Sequence, residues 1–129
     1  MAIKTYKNFI DGKWVASCTG ETFDNINPAN KKEIIGRFQK SNASDLNEAV
    51  KSAIKAQEEW RSLPAPKRGE ILFRVGELLT RNKESLAQDM TREMGKILNE
   101  TRGDVQEAID LTYYTAGEGR RLLDQTVPS

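Results

Sequence analysis

The chain has 129 residues, enough for one ordinary domain or a piece of a larger one and too few for two complete cores. Twenty Lys and Arg stand against nineteen Asp and Glu, and a formal charge of +1 gives no electrostatic footprint for nucleic acid or an acidic membrane surface. There is no histidine, which removes the commonest general base, the commonest metal ligand and every Ser-His-Asp or Cys-His arrangement within these residues.

Strands are expected first. Tyr6 to Ile10 and Lys13 to Ser17 flank Asp11-Gly12, a two-residue loop whose positive φ demands suit Asp and Gly, so the pair reads as a β-hairpin. A second pair is expected at Phe23 to Ile26 and Glu33 to Gln39, separated by the turn-forming Asn27-Pro28-Ala29-Asn30-Lys31. Together these predict a meander of short antiparallel strands over residues 1–40. Cys18 sits between the pairs in Ala16-Ser17-Cys18-Thr19-Gly20. It is the only cysteine, so there is no disulfide framework, and no histidine is present to activate it.

From Ser41 the period becomes helical. Asn42 and Asp45 look like an N-terminal cap. Leu46, Ala49, Val50, Ala53, Ala56 and Trp60 then mark one face of a helix of about four turns. Leu63-Pro64-Ala65-Pro66 breaks it, and Pro66 opens a second helix bearing Ile71, Leu72, Val75, Leu78 and Leu79 on one side. Asn82 starts a third, with Leu86, Ala87, Met90 and Met94 inward and Gly95 as its stop. Thr101 and Asp104 are expected to cap a fourth, striped by Val105, Ala108, Ile109, Thr112 and Ala116 and weakened by Gly117 and Gly119. Residues 41–123 are thus helical and 124–129 extended, which makes this window α+β. Trp60, Leu72, Leu78, Leu79, Ile109 and Leu122 are the expected core, a thin one that leaves the helical layer needing something to lean on.

Few motifs carry chemistry. Gly117-Glu118-Gly119 follows a helix and lacks the third glycine of a dinucleotide loop. Glu93 and Glu100 read as solvated helix carboxylates, Lys67-Arg68 and Arg120-Arg121 as a solvated face, and Trp14 and Trp60 as packing anchors. Arg102, Gln106 and Asp110 recur every four residues, a polar stripe open to two readings: ordinary solvent exposure, or the wall of a cleft completed by another segment. No apolar run approaches the roughly 20 residues that span a bilayer, and no apolar signal core follows Met1 to Lys7, so the expectation is a cytoplasmic protein.

Taken in order, the motifs resemble the N-terminal portion of an NAD(P)-dependent aldehyde dehydrogenase. They run from Phe9-Ile10-Asp11-Gly12-Lys13-Trp14-Val15 to Gly20-Glu21-Thr22-Phe23 and Ile26-Asn27-Pro28-Ala29. Ala49-Val50 through Ala56, Trp60, Arg68 with Ile71-Leu72, Glu93-Met94-Gly95-Lys96 and Arg102-Gly103-Asp104-Val105 leading to Tyr113-Tyr114 complete the series. Residues 93–128 are similar to semialdehyde-oxidising members acting on succinate or 2-oxoglutarate semialdehyde. Ile97 departs from the proline common after Gly-Lys.

The resemblance implies an α/β parent fold, with residues 1–129 forming part of its cofactor-binding domain, and a homo-oligomer in the full-length enzyme. It implies NAD or NADP as cofactor, an aldehyde as substrate, and a catalytic cysteine, an oxyanion-holding amide and a glutamate base that all lie outside these residues. The chain is therefore expected to be a fragment, inactive by itself. The resemblance also implies a Na or K ion held near Asn25, Ile26 and Glu93, and a substrate entrance bordered by Arg102, Gln106 and Asp110. The rival expectation is a free-standing helical module that binds a partner protein.

Overall fold

In a computed structural model, residues 3–121 are described; Leu122 and Val127-Pro128-Ser129, expected as core and as extended chain, lie outside them. β1 (Asn8–Ile10) and β2 (Lys13–Val15) form the expected hairpin, with Phe9 opposite Trp14. Asp11 and Gly12 take φ of 53° and 71°, the two consecutive positive values that let a two-residue turn follow the twist of its strands. β3 (Thr22–Ile26) and β4 (Ile34–Gln39) pair antiparallel with a bulge, since Asn25 faces Gly36 while Ile26 faces Ile34.

The two pairs do not join into one meander. They remain separate two-stranded sheets, and the free edge of β4 is taken by the N-terminal segment, through Tyr6 N–H to the Arg37 carbonyl at 2.8 Å and Arg37 N–H to the Lys4 carbonyl at 2.9 Å. The strand expected to reach Ser17 ends at Val15, and the loop that follows it runs to a helix terminus. Ser17 is buried; its hydroxyl donates to Asp45 at 2.7 Å and its N–H to the Gln39 side chain at 2.9 Å.

That terminus opens α1 (Ala43–Ser62), longer than expected at 20 residues. Asn42 and Asp45 form a complete capping box: the Asn42 amide oxygen accepts from the N–H of Ser44 and Asp45, and Asp45 accepts from the Asn42 N–H at 3.0 Å. Asp45 also accepts from the Cys18 N–H at 2.9 Å, so one carboxylate ties the loop after the hairpin to the helix. The Ser17 hydroxyl bond, with the Cys18 and Asn42 N–H bonds, lowers its pKa from 3.8 to about 2. A depressed carboxylate stabilises the fold above its unfolded pKa, and that stabilisation is lost as pH falls through the folded value. Asp45→Asn is therefore expected to lower the melting temperature at neutral pH and to flatten the decline between about pH 4 and pH 2. Thermal melts across that range check this; an unchanged acid slope would remove Asp45 as its source.

α2 (Ala65–Arg81) follows the Pro64 break with Pro66 in its first turn, and α3 (Lys83–Met94) ends at Gly95, whose φ of 73° is the left-handed stop that glycine provides. α4 runs from Leu98 to Glu118 and begins earlier than Thr101. Thr101 is fully buried one turn inside it. Its hydroxyl shares a 2.8 Å bond with Thr91 of α3 and donates to the Leu98 carbonyl, while Asp104 pairs with Lys96 at 2.6 Å. Neither expected cap residue caps the helix; both make contacts from within it.

The core lies where α3 and α4 meet α2. Ala87, Val105 and Ile109 are buried together, with Leu79, Leu86, Met90 and Leu98 packed around them. Of the expected core residues, Ile109 is buried and Leu79 and Leu72 are half-buried, but Trp60 is 43% exposed and Leu78 56%. Trp60 lies on α1, which buries no residue and leaves its apolar stripe open. No helix among the described residues is long and apolar enough to cross a membrane.

Candidate functional site

Two places gather the residues singled out in the sequence. The first is the meeting of the β3–β4 turn with the end of α3. Asn25, on β3, donates its side-chain N–H to Glu93 Oε1 at 3.3 Å, across 68 positions of sequence. Ile26 follows at the bulge and is 47% exposed. The turn itself is rigidly held. Asn27 is buried, accepts from the Ala29 N–H at 2.9 Å and donates to Glu33 at 2.8 Å. Glu33 also accepts from Arg92 Nε at 2.8 Å. The Asn27 amide bond, followed by the Arg92 bond and charge, holds the Glu33 carboxyl below the usual carboxylate range. A Cβ on Gly95 would sit 3.0 Å from the Pro28 ring, so the stop of α3 lies directly on the Asn-Pro turn.

Glu93 and its neighbours offer oxygen donors, the kind a hard monovalent cation requires. Among the described residues no group of three or more His, Cys, Asp and Glu converges as a metal site, so such an ion would depend on amide and backbone oxygen as well as Glu93. Asn27, Glu33 and Arg92 frame this place without having been singled out together. The turn composition marks Asn27, but nothing in the sequence couples Glu33 to Arg92, 59 positions away.

The second place is the outer face of α4. Gln106 donates to Asp110 at 2.8 Å and accepts from Lys83 Nζ at 2.7 Å. Arg102 makes a fork to Glu84, with Nε at 2.9 Å and Nη2 at 2.7 Å, and reaches Asn99 at 3.2 Å. The Arg102 bond holds the Glu84 carboxyl below its ordinary range. The three residues therefore form one stripe, as the spacing predicts, but the first turn of α3 supplies partners that the spacing does not reveal. Gln106 and Asp110 line an open groove of about 530 Å3 with Glu107, Leu111 and Tyr114; Arg102 does not.

No dinucleotide cradle is formed by Gly117-Glu118-Gly119. These residues end α4 against α2, and a Cβ on Gly119 would lie 2.6 Å from the Ala65 carbonyl oxygen. The only cysteine, Cys18, is exposed and contacts the Asn42 side chain at 3.5 Å.

Comparison with known proteins supplies the context for these features. The chain is 43% identical over 116 residues to an alpha-ketoglutarate semialdehyde dehydrogenase of Haloferax volcanii, covering 90% of this chain and 24% of that protein. It is 39% identical over 125 residues to an alpha-ketoglutaric semialdehyde dehydrogenase of Bacillus subtilis, covering 97% and 26%. A betaine aldehyde dehydrogenase from Staphylococcus aureus, solved in complex with NAD+, superposes with a TM-score of 0.89 at 28% identity, over 96% of this chain and 25% of that one. The chain thus spans about a quarter of the length of these relatives. The model of the aldehyde dehydrogenase family matches residues 14–129, and the chain belongs to that family.

Proposed function

We infer that the chain serves as the N-terminal, non-catalytic segment of an aldehyde dehydrogenase, one that oxidises a carboxylate-bearing semialdehyde to the acid with NAD+ or NADP+. The observation that carries this is the family match over residues 14–129, supported by semialdehyde dehydrogenases among its relatives. Within the enzyme, residues 1–129 are part of the cofactor-binding domain, and the remainder supplies the nucleophile, the oxyanion donor and the base. The contacts to the dinucleotide and the hydride transfer belong to the remainder of the enzyme. The holoenzyme is a cytoplasmic homo-oligomer.

Two supporting roles follow. Asn25, Ile26 and Glu93 contribute to a Na or K site at the Asn-Pro turn, consistent with their oxygen donors and the 3.3 Å contact across β3 and α3. Arg102, Gln106 and Asp110 border the substrate entrance. Gln106 and Asp110 do so directly, at the groove on α4, and Arg102 fixes α3 to α4 through Glu84. Because that guanidinium is already forked, a substrate carboxylate would compete with Glu84 for it.

The test uses the native protein, captured from its source cells with an antibody raised to these 129 residues. A polypeptide several times heavier than this chain is expected, oxidising 2-oxoglutarate or succinate semialdehyde with NAD(P)+ and losing stability when Na+ and K+ are replaced by tetramethylammonium. The 129-residue chain by itself is expected to show no turnover. A native protein of this chain's own mass would sink the reading in favour of a free-standing interaction module. Turnover by the chain alone would overturn its non-catalytic role, and indifference to the cation would remove the ion.

A further inference from the structure

A substrate that carries a carboxylate needs a cation where it enters, and the walls of the α4 groove hold none. Glu107 and Asp110 are the only formal charges among its lining residues. Two cations stand beside it. Arg102 is consumed: Nε and Nη2 fork to Glu84 at 2.9 and 2.7 Å, and Nη1 donates to Asn99 at 3.2 Å. Lys83 is not. The ion pair to Glu84 belongs to Arg102, and Lys83 has none among the described residues. Its ammonium rests instead on a neutral acceptor, Gln106 Oε1, at 2.7 Å.

The Gln106 amide is oriented from both ends. An ammonium can only donate, so Lys83 takes the amide oxygen; a carboxylate can only accept, so Asp110 takes the amide N–H, at 2.8 Å. Lys83 is thereby seated at the rim of the groove with N–H donors to spare. It is also half-buried, partly withdrawn from water beside a partner that returns no charge. A carboxylate at that point gains a charge-assisted hydrogen bond without displacing an existing ion pair.

We propose that Lys83 is a specificity-determining residue of the enzyme: its ammonium, held on Gln106 at the rim of the α4 groove, binds the carboxylate of the incoming semialdehyde. The proposal rests on the reading given under the proposed function and names the group that meets the substrate's charge. Glu107 and Asp110 give the contact a direction. Both repel a carboxylate, so the anionic end stays at the Lys83 rim while the uncharged aldehyde end runs along Leu111 and Tyr114. The two cations thus divide the work: Arg102 ties α4 to α3, and Lys83 is left for the ligand.

The experiment uses the complete enzyme and two four-carbon aldehydes, succinate semialdehyde and neutral butanal. Lys83→Met is expected to lower the ratio of their kcat/KM values about tenfold, as loss of one charge-assisted contact does. The loss should fall on KM for succinate semialdehyde rather than on kcat, because the contact is made equally in the ground state and the transition state. Lys83→Arg keeps the charge and should recover the ratio to within about threefold, whereas Lys83→Glu should depress it below that of Lys83→Met. A ratio that Lys83→Met leaves unchanged would overturn the proposal. So would a loss shared equally by both aldehydes, which is the mark of a structural role, or a Lys83→Arg enzyme as impaired as Lys83→Met. Selective oxidation of succinate semialdehyde that is indifferent to Lys83 refutes this proposal alone. An unmodified enzyme that oxidises neither aldehyde refutes the proposed function, and this proposal with it.

Discussion

Gly69→Ala is expected to destabilise the chain by about 1–3 kcal/mol, whereas Gly103→Ala is expected to stabilise it by about 0.5–1 kcal/mol. Both glycines lie inside helices, Gly69 in α2 and Gly103 in α4, and on propensity alone both replacements are favourable. Their surroundings decide the sign. A Cβ on Gly69 would stand 2.6 Å from the carbonyl oxygen of Ala116, a backbone atom of α4 that is buried and cannot rotate aside. α2 and α4 would have to separate along the most extensive helix pairing in the fold. Gly103 faces open space, with nothing within 4 Å of its virtual Cβ. Thermal and urea unfolding, followed by helical circular dichroism, measures both. Equal effects of the same sign would show that the close α2–α4 approach does not govern stability.

This contrast marks the boundary of what the sequence makes readable. Signals carried by one residue and its immediate neighbours translate directly: Asp11-Gly12 turns a hairpin, Pro64 separates two helices and Gly95 stops a third in the left-handed conformation. Those consequences are local backbone chemistry and need no partner. Signals whose meaning depends on distant contacts do not translate. Thr101 has the composition of a cap, yet it bonds Thr91 across the α3–α4 interface, and the helix begins four residues earlier, at Leu98 with Ile97 in the cap position. Likewise, alternation predicts strands but does not say which edges pair, and Ser17 goes to Asp45 instead of a ladder.

The candidate sites divide in the same way. The four-residue recurrence of Arg102, Gln106 and Asp110 places them on one stripe of α4, and helical geometry alone accounts for that. Helical geometry does not supply Lys83 and Glu84, which arrive from another helix and neutralise much of the stripe's free hydrogen-bonding capacity. Asn25 and Glu93 meet because the Asn-Pro turn rests on Gly95, a juxtaposition that resemblance to the family implies and that composition and period do not.

Ile109→Ala is expected to cost about 2–5 kcal/mol, the range for emptying a well-packed aliphatic site, while Ile54→Ala in the isolated chain is expected to stay within about 0.5 kcal/mol of neutral. The two isoleucines occupy equivalent-looking places, each on the apolar stripe of a long amphipathic helix. Ile109 is 4% exposed and joins Ala87 and Val105 at the junction of three helices; Ile54 is 62% exposed and faces an open groove. Because so few apolar side chains are buried among the described residues, the Ile109 cavity removes much of what fixes α3 on α4. A domain holds only about 5–15 kcal/mol in total, so the variant should lose cooperativity as well as melting temperature. Calorimetry of the two variants makes the comparison. If Ile54→Ala proves as costly as Ile109→Ala in the isolated chain, then α1 is already packed and the groove is not vacant.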